Sequence, residues 1–231
     1  MSRIALVLRP APGDLATATR LAMRGVAVRR CPLFMVVPRR WLPPDPAQYD
    51  SLLLTSANAV RHAGEGLAAL ADLPVLAVGA APAQAARAAG FDVALTGNAD
   101  AAALVASARA QDFARPLHLA GRDSHRQPGI DAVIVYASVP MEITASGMQG
   151  WRDGVALLHS ARAAERFARL VDGEGLARDR IGVAALSTAV AKAAGSGWSA
   201  TLVASRPDDE SLVVAACTLI DRPGEAADKQ A

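Results

Sequence analysis

The residues of this chain best suited to chemistry are small hydroxyl, amide and glycine residues that directly follow apolar runs: Thr55-Ser56-Ala57-Asn58, Gly79-Ala80, Ser160-Ala161 and Ser187-Thr188. A Ser, Thr or Asn at a helix start accepts a hydrogen bond from one of the first N–H groups. The N–H groups left over, with the positive end of the helix dipole, attract anions. Gly79-Ala80 offers the same backbone without a hydroxyl. A plain helix cap explains any one of these turns. Four at the carboxyl ends of parallel strands would line the edge where open α/β sheets take their ligands. Arg9, Arg122 and Arg206 each follow a strand or its turn, where a guanidinium can hold a carboxylate through two parallel hydrogen bonds. A solvated or ion-paired arginine is the plainer reading of each.

Other chemistries lack their motifs. There is no GxGxxG and no Walker loop, and the pairs Gly64-Glu-Gly66 and Gly195-Ser-Gly197 do not follow a strand and open a helix, as a phosphate loop must. His159-Ser160 is outside a GxSxG elbow, and Ser124-His125 falls in an irregular stretch, so neither suggests a hydrolase triad. His118, Asp123 and His125 match no ordinary metal spacing and read as a solvated loop. Trp41, Trp151 and Trp198 read as packing anchors, because no basic run interleaves with them. Cys31 and Cys217 belong to no CxxC or Cys/His cluster, which argues against a disulfide framework or zinc site and for a reducing cytoplasm.

The composition sets broader bounds. Across 231 residues, 52% are hydrophobic and 20% charged, which requires a packed core and excludes a disordered chain. The 24 Lys and Arg nearly balance the 22 Asp and Glu, so a dedicated nucleic-acid binder is excluded and any basic site is local. No run of about 18 apolar residues occurs, so no membrane span is expected. The five apolar residues Ile4 to Leu8 are too few for a secretory leader, and residues 222–231 are expected to fray.

The candidate residues must be positioned by an alternation of short apolar strands and helically spaced segments. Strands are expected at Ile4 to Leu8, Val26 to Arg30, Leu52 to Thr55, Val75 to Val78, Val93 to Leu95, Leu117 to Ala120, Ala132 to Tyr136, Val155 to His159, Gly182 to Ala185 and Thr201 to Ala204. Between them lie about seven helices, among them Ala57 to Leu70 and one that Pro82 can start and Gly90 can stop. Parallel neighbours need helical crossovers, so the fold class is α/β, with mostly parallel sheets flanked by helices. Pro38, Pro43, Pro44 and Pro46 mark a linker, and Asp123 to Asp131 an irregular loop.

The chain also repeats itself. Asp50-SLLLTSANAVRHAGEGL is echoed by Asp153-GVALLHSARAAERFARL, with Ser56 opposite Ser160, and Val75-LAVGAAPAQAARAAGF by Ile181-GVAALSTAVAKAAGSGW. Each pair of units is followed by a strand and an acidic helix start, Asn98-Ala-Asp100 and Pro207-Asp-Asp-Glu210. Two units in one order, at an offset of about 104 to 107 positions, indicate duplication into two similar domains.

These features together resemble the uroporphyrinogen-III synthase family over nearly the whole chain. The resemblance is carried by the opening strand ending in Arg9-Pro10, Tyr49-Asp50-SLLLTSANAV, Val75-LAVG, Thr96-Gly97-Asn98, Ala120-Gly121-Arg122, Val135-Tyr136, His159-Ser160-Ala161 and Ser187-Thr188-Ala189. It implies two similar α/β domains joined by a two-stranded β connector. Residues 1–33 with 141–231 would form a discontinuous domain, 36–138 an inserted one, and 34–37 with 135–139 the connector strands. The implied activity is cyclising dehydration of hydroxymethylbilane, a linear tetrapyrrole, with inversion of its last pyrrole ring through a spiro intermediate, by a monomer without metal or organic cofactor. The unaided substrate tends to close without inversion, so such an enzyme needs conformational control more than a strong nucleophile.

By the same resemblance, substrate carboxylates would be held in a cleft by Thr55, Ser56, Asn58, Gly79, Ala80, Gly121, Arg122, Ser160, Ala161, Ser187 and Thr188. Tyr136 would be the general acid for the leaving hydroxyl or else a phenol packed at the hinge. The chain departs from the family pattern in three places. Pro82-Ala83 stands where relatives carry Thr-Ala, only 13 residues separate Arg122 from Tyr136 where relatives fit a helix, and Ala185 replaces the glycine found at Gly79. The competing reading is a non-catalytic, two-lobed binding or regulatory module for an acidic small molecule.

Overall fold

The computed structural model describes residues 3–97 and 100–221. The expected tail at 222–231, and Asn98 of the Thr96-Gly97-Asn98 motif, lie outside the described residues.

The chain begins with β1 (Ala5–Val7), α1 (Gly13–Ala22), β2 (Val28–Arg30) and β3 (Phe34–Pro38). It continues through β4 (Ser51–Leu54), α2 (Ala57–His62), β5 (Val75–Val78), α3 (Ala80–Ala88), β6 (Val93–Gly97), α4 (Ala101–Arg109), β7 (Pro116–Gly121) and β8 (Ala132–Pro140). It closes with β9 (Val155–Leu158), α5 (Ala161–Gly173), β10 (Gly182–Ala185), α6 (Thr188–Ala194), β11 (Ala200–Val203) and α7 (Asp209–Ile220). The chain divides into two compact units, Met1–Met35 with Pro140–Ala231, and Val36–Val139.

Each unit is built on its own sheet. The first has strand order β11-β10-β9-β1-β2, and the second β3-β8-β7-β4-β5-β6. All pairings in the first, and those from β8 to β6 in the second, are parallel. The α/β class read from the sequence is therefore the class observed. At the edge of the second sheet, Arg39 N–H donates to Val135 O (2.9 Å) and Met141 N–H to Leu33 O (3.0 Å), the opposed numbering of an antiparallel pair.

Period-two alternation makes two cores per sheet. In the first unit Leu6, Leu8, Ala156, Leu158 and Val183 face α5 and α6, where the Phe167 ring stacks on Trp198 at 5.4 Å and meets Trp151 at a tilt at 5.2 Å. Ala5, Val7, Val155, Leu157 and Ala184 face α7 on the other side. In the second unit Leu52, Leu54, Val75, Ala77, Leu117 and Leu119 pack on α2 and α3, while Leu53 and Leu76 pack on α4.

Two details differ from the sequence reading. The helix expected over Ala57 to Leu70 stops at His62 and resumes as a 3₁₀ segment, Gly64–Leu70, because Gly64 takes φ +66, which a right-handed helix cannot pass through. Pro82 does not open α3 but sits third in it, where a missing N–H costs no intrahelical bond. β3 lies outside the ten strands read from apolar runs but at the place of the 34–37 connector strand that the family resemblance implies. Between β7 and β8, which are parallel, the chain crosses in residues 122–131 with no helix, where the sequence reads as an irregular loop.

His118 on β7 is the one titratable side chain carried into the second core with no exposure at all among the described residues. Its Nε2 lies 3.1 Å from Thr55 Oγ1, and burial pushes its pKa below the ordinary value near 6.5. A histidine kept neutral in this way lets the unfolded chain bind more protons, so its contribution to stability is full above about pH 6.5 and is lost as pH falls below that. Urea unfolding should show the stability gap between wild type and His118→Asn narrowing between about pH 7.5 and pH 5.5. Separately, Phe167→Ala should destabilise the transition that carries the near-UV signal of Trp151 and Trp198 by about 3–5 kcal/mol.

Candidate functional site

In an open α/β sheet a crevice forms where two neighbouring parallel strands send their crossovers to opposite sides, and ligands bind there, beyond the carboxyl ends. Each sheet has one such point. In the second unit it lies between β4 and β7, with the chain running from β4 towards β5 and β6 and from β7 towards β8. In the first it lies between β1 and β9, with β2 on one side and β10 and β11 on the other.

At the second unit's crevice, Thr55 ends β4 and turns its hydroxyl to buried His118. Ser56 is the N-cap of α2, its Oγ accepting from Asn58 N–H at 3.2 Å. Gly79 caps α3 by backbone alone at φ +93 and ψ 167, a conformation that excludes side chains, and exposed Ala80 begins the helix. From β7, Gly121 and Arg122 reach the same edge. Arg122 Nε lies 3.3 Å from Asp123 Oδ1 and Nη2 3.4 Å from Ser138 O.

Tyr136 on β8 is in register with Gly121, just past a bulge at Ala120. A Cβ added to Gly121 would stand 2.6 Å from Tyr136 Cζ and 2.8 Å from its Oη, so the absence of a side chain at 121 makes the space for the ring. The hydroxyl has no hydrogen-bond partner among the described residues, and the ring is half-buried, its centroid 6.4 Å from that of His62.

At the first unit's crevice, Ser160 caps α5, accepting from Ala163 N–H at 3.2 Å, and exposed Ala161 begins the helix. Ser187 caps α6, accepting from Val190 N–H at 3.4 Å, with Thr188 exposed beside it. Arg9 is not free there. Asp209, the first residue of α7, takes Arg9 Nη1 (3.1 Å), Thr17 Oγ1 (2.6 Å) and His159 Nε2 (2.8 Å) on Oδ1 and Arg20 Nη1 (2.7 Å) on Oδ2. Burial pushes the Asp209 carboxyl up, but the bonds from His159 and Thr17 and the charge of Arg9 outweigh it and hold it well below the usual carboxylate range. Burial in turn pushes His159 below its ordinary value, so with Asp209 ionised the neutral ring carries its proton on Nε2.

Sequence reasoning passed over this network. Pro207-Asp-Asp-Glu210 reads as an acidic helix start, and nothing local shows that its second aspartate meets Arg9 across 200 positions. Arg206, by contrast, is exposed and pairs with Asp208 at 3.2 Å. His118 is sealed in its strand while Asp123 and His125 are exposed, and among the described residues no group of three His, Cys, Asp or Glu is placed to hold a metal. Burial pushes the Cys31 thiol up to about 11, which leaves it protonated and poorly nucleophilic. Both edges offer capped helix starts and cations, a chemistry for holding anions.

No helix of the described residues is long and apolar enough to cross a membrane. No curated protein sequence gives a significant match. Among solved structures, the chain is similar to the uroporphyrinogen-III synthetase from Helicobacter pylori 26695, with a TM-score of 0.67 and 16% identity over 95% of this chain and 100% of that one. It is also similar to a mutant uroporphyrinogen III synthase from the extremely thermophilic bacterium Thermus thermophilus, with a TM-score of 0.48 and 16% identity over 95% and 99% of the two chains. At such identity the Helicobacter likeness is one of fold. The family model described as uroporphyrinogen-III synthase HemD matches residues 16–214, and by that match the chain belongs to the uroporphyrinogen-III synthase family, cyclising lyases of tetrapyrrole biosynthesis.

Proposed function

We propose that the chain converts hydroxymethylbilane into uroporphyrinogen III, with Tyr136 as the general acid and the turns at the two crevices as holders of substrate carboxylates. The observation that carries the assignment is Tyr136: an unpartnered phenol beside a side-chain-free residue, at the carboxyl edge of a sheet whose chain matches the synthase family.

The reaction begins with loss of the terminal hydroxyl, a poor leaving group unless protonated. Tyr136 Oη donates a proton, water departs, and the pyrrole nitrogen's electrons leave an azafulvene. The substituted carbon of the last ring attacks it, giving a spiro centre. That centre opens by breaking the bond to the ring's original methylene bridge, and the freed methylene is captured by the ring's other α-carbon. Loss of one proton restores aromaticity and reprotonates the tyrosinate, so the net change is loss of one water.

The eight substrate carboxylates would be shared among Thr55, Ser56, Asn58, Gly79 and Ala80, Gly121 and Arg122 in one unit, and Ser160, Ala161, Ser187 and Thr188 in the other. On this reading Arg9, ion-paired to Asp209, helps fix His159 and the adjoining Ser160 turn in place. Holding the intermediate in one conformation supplies the selectivity, since the unguided bilane closes to the other isomer. The protein works in this reading as a cytoplasmic monomer that engages no nucleic acid, the last point supported by its formal charge of +2.

The test supplies freshly generated hydroxymethylbilane and resolves the oxidised porphyrin isomers by chromatography. A dominant type III isomer is expected, and type I alone beside an active control enzyme would leave a binding or regulatory module. Tyr136→Phe should lower kcat by about 100-fold, the low end for a lost general acid, while type III still predominates in what is formed. Unchanged turnover would remove the acid role and leave the phenol as packing.

A further inference from the structure

The proline-marked segment after β3, read from the sequence as a linker, forms a cavity of about 390 Å³ with the end of α2. Arg39, Arg40, Trp41, His62 and Glu65 are among the residues that line it. We propose that this cavity is a further carboxylate subsite, in which Arg39 and Arg40 take an acidic side chain of the substrate next to the reacting centre. The inference rests on the synthase reading above and extends its site.

Three observations carry it. The first is charge. Arg39 and Arg40 are exposed, and neither guanidinium has an ion-pair or hydrogen-bond partner among the described residues. Glu65 is the only carboxylate on the cavity wall, and it lies beyond ion-pair distance of both, so the cavity has an excess of positive charge. Two adjacent guanidiniums suit a carboxylate, which can accept forked hydrogen bonds from each.

The second is position. Arg39 N–H donates to Val135 O at 2.9 Å, directly before Tyr136 on β8. His62, on the cavity wall, has its ring centroid 6.4 Å from that of Tyr136. A substrate arm held here therefore belongs to the part of the molecule that lies at the tyrosine.

The third is preorganisation. Trp41 Nε1 donates to Ala63 O at 2.7 Å, tying the proline-rich segment to the end of α2. The cavity wall is thereby fixed before any ligand arrives, which lowers the ordering cost of binding.

The experiment uses the full chain carrying Arg39→Ala and Arg40→Ala together, with the double lysine variant and Glu65→Gln alongside. Rates of type III formation are measured against hydroxymethylbilane concentration. The double alanine variant should raise KM by about tenfold with kcat changed by less than about twofold, since an interaction made equally in ground and transition states affects KM alone. The lysine pair should recover most of the loss, Glu65→Gln should lower KM, and thermal midpoints should stay put. An unchanged KM in the double alanine variant would overturn the subsite. A second arm titrates uroporphyrin I, a stable octacarboxylate, by its Soret absorbance. If wild type forms no type III isomer, the synthase reading fails, and this arm still decides the subsite: weakening by about fivefold or more in the double alanine variant supports it, and equal affinity overturns it.

Discussion

Parallel pairing is the constraint on which the rest of the structure depends. When β4 lies beside β7 and β1 beside β9 in the same direction, every parallel strand of the sheet ends at one edge, and every helix that follows such a strand starts there. Ser56, Gly79, Ser160 and Ser187 are brought to the carboxyl edges of their own sheets for this reason alone. An antiparallel sheet of the same residues would scatter them over two ends. The apolar strand cores that enforce this pairing, such as Leu52, Leu53 and Leu54 with no more than 1% exposure, are thus as necessary to the site as the polar residues at its rim.

The two sheets also reveal a relation that linear reading of the chain could not. From β8 through β7, β4 and β5 to β6, and from β2 through β1, β9 and β10 to β11, the strands follow one plan. In the second unit the β4-β5-β6 arm precedes the β7-β8 arm in the chain, while in the first the arm equivalent to β7-β8 comes first, as β1-β2. The units are therefore circular permutations of one another. The repeat detectable in sequence covers only the arm that follows the same order in both, from Ser56 and Ser160 to the acidic caps Asp100 and Asp208, each of which accepts from the N–H three residues on. The other arm sits at opposite ends of the two copies, where a search at a fixed offset finds nothing.

What was legible in the chain follows the range of the forces concerned. Strand and helix positions depend on alternation and capping within a few residues, so β5 and β10 were readable to the residue. The capping roles of Ser56, Ser160 and Ser187 were readable for the same reason. The break at Gly64 was not, because a glycine inside a helical pattern is compatible with either outcome until packing decides its φ. Nor was the Asp209 cluster, whose members Arg9, Thr17, Arg20 and His159 come from four separate stretches of chain joined only by the fold. The cavity at Arg39 was hidden by its own prolines, which announce a linker and say nothing of the wall that Trp41 makes with Ala63.

The two edges, alike in plan, differ in charge. At the first unit's edge Asp209 satisfies Arg9 and Arg20 and accepts from His159, so the cations there arrive already compensated and contribute orientation more than free charge. At the second unit's edge no buried carboxylate plays that part among the described residues. Arg122 meets only the exposed Asp123 and a backbone oxygen, and an exposed pair of this kind is worth little in water. The phenol of Tyr136 lies on this second edge. On the proposed reading of Tyr136, an acid catalyst that expels water from a polyanion works best where surplus positive charge offsets the carboxylates without a competing internal anion. Two edges of the same plan thus differ through the placement of one half-buried aspartate, which saturates the cations of one and leaves the other electrostatically open.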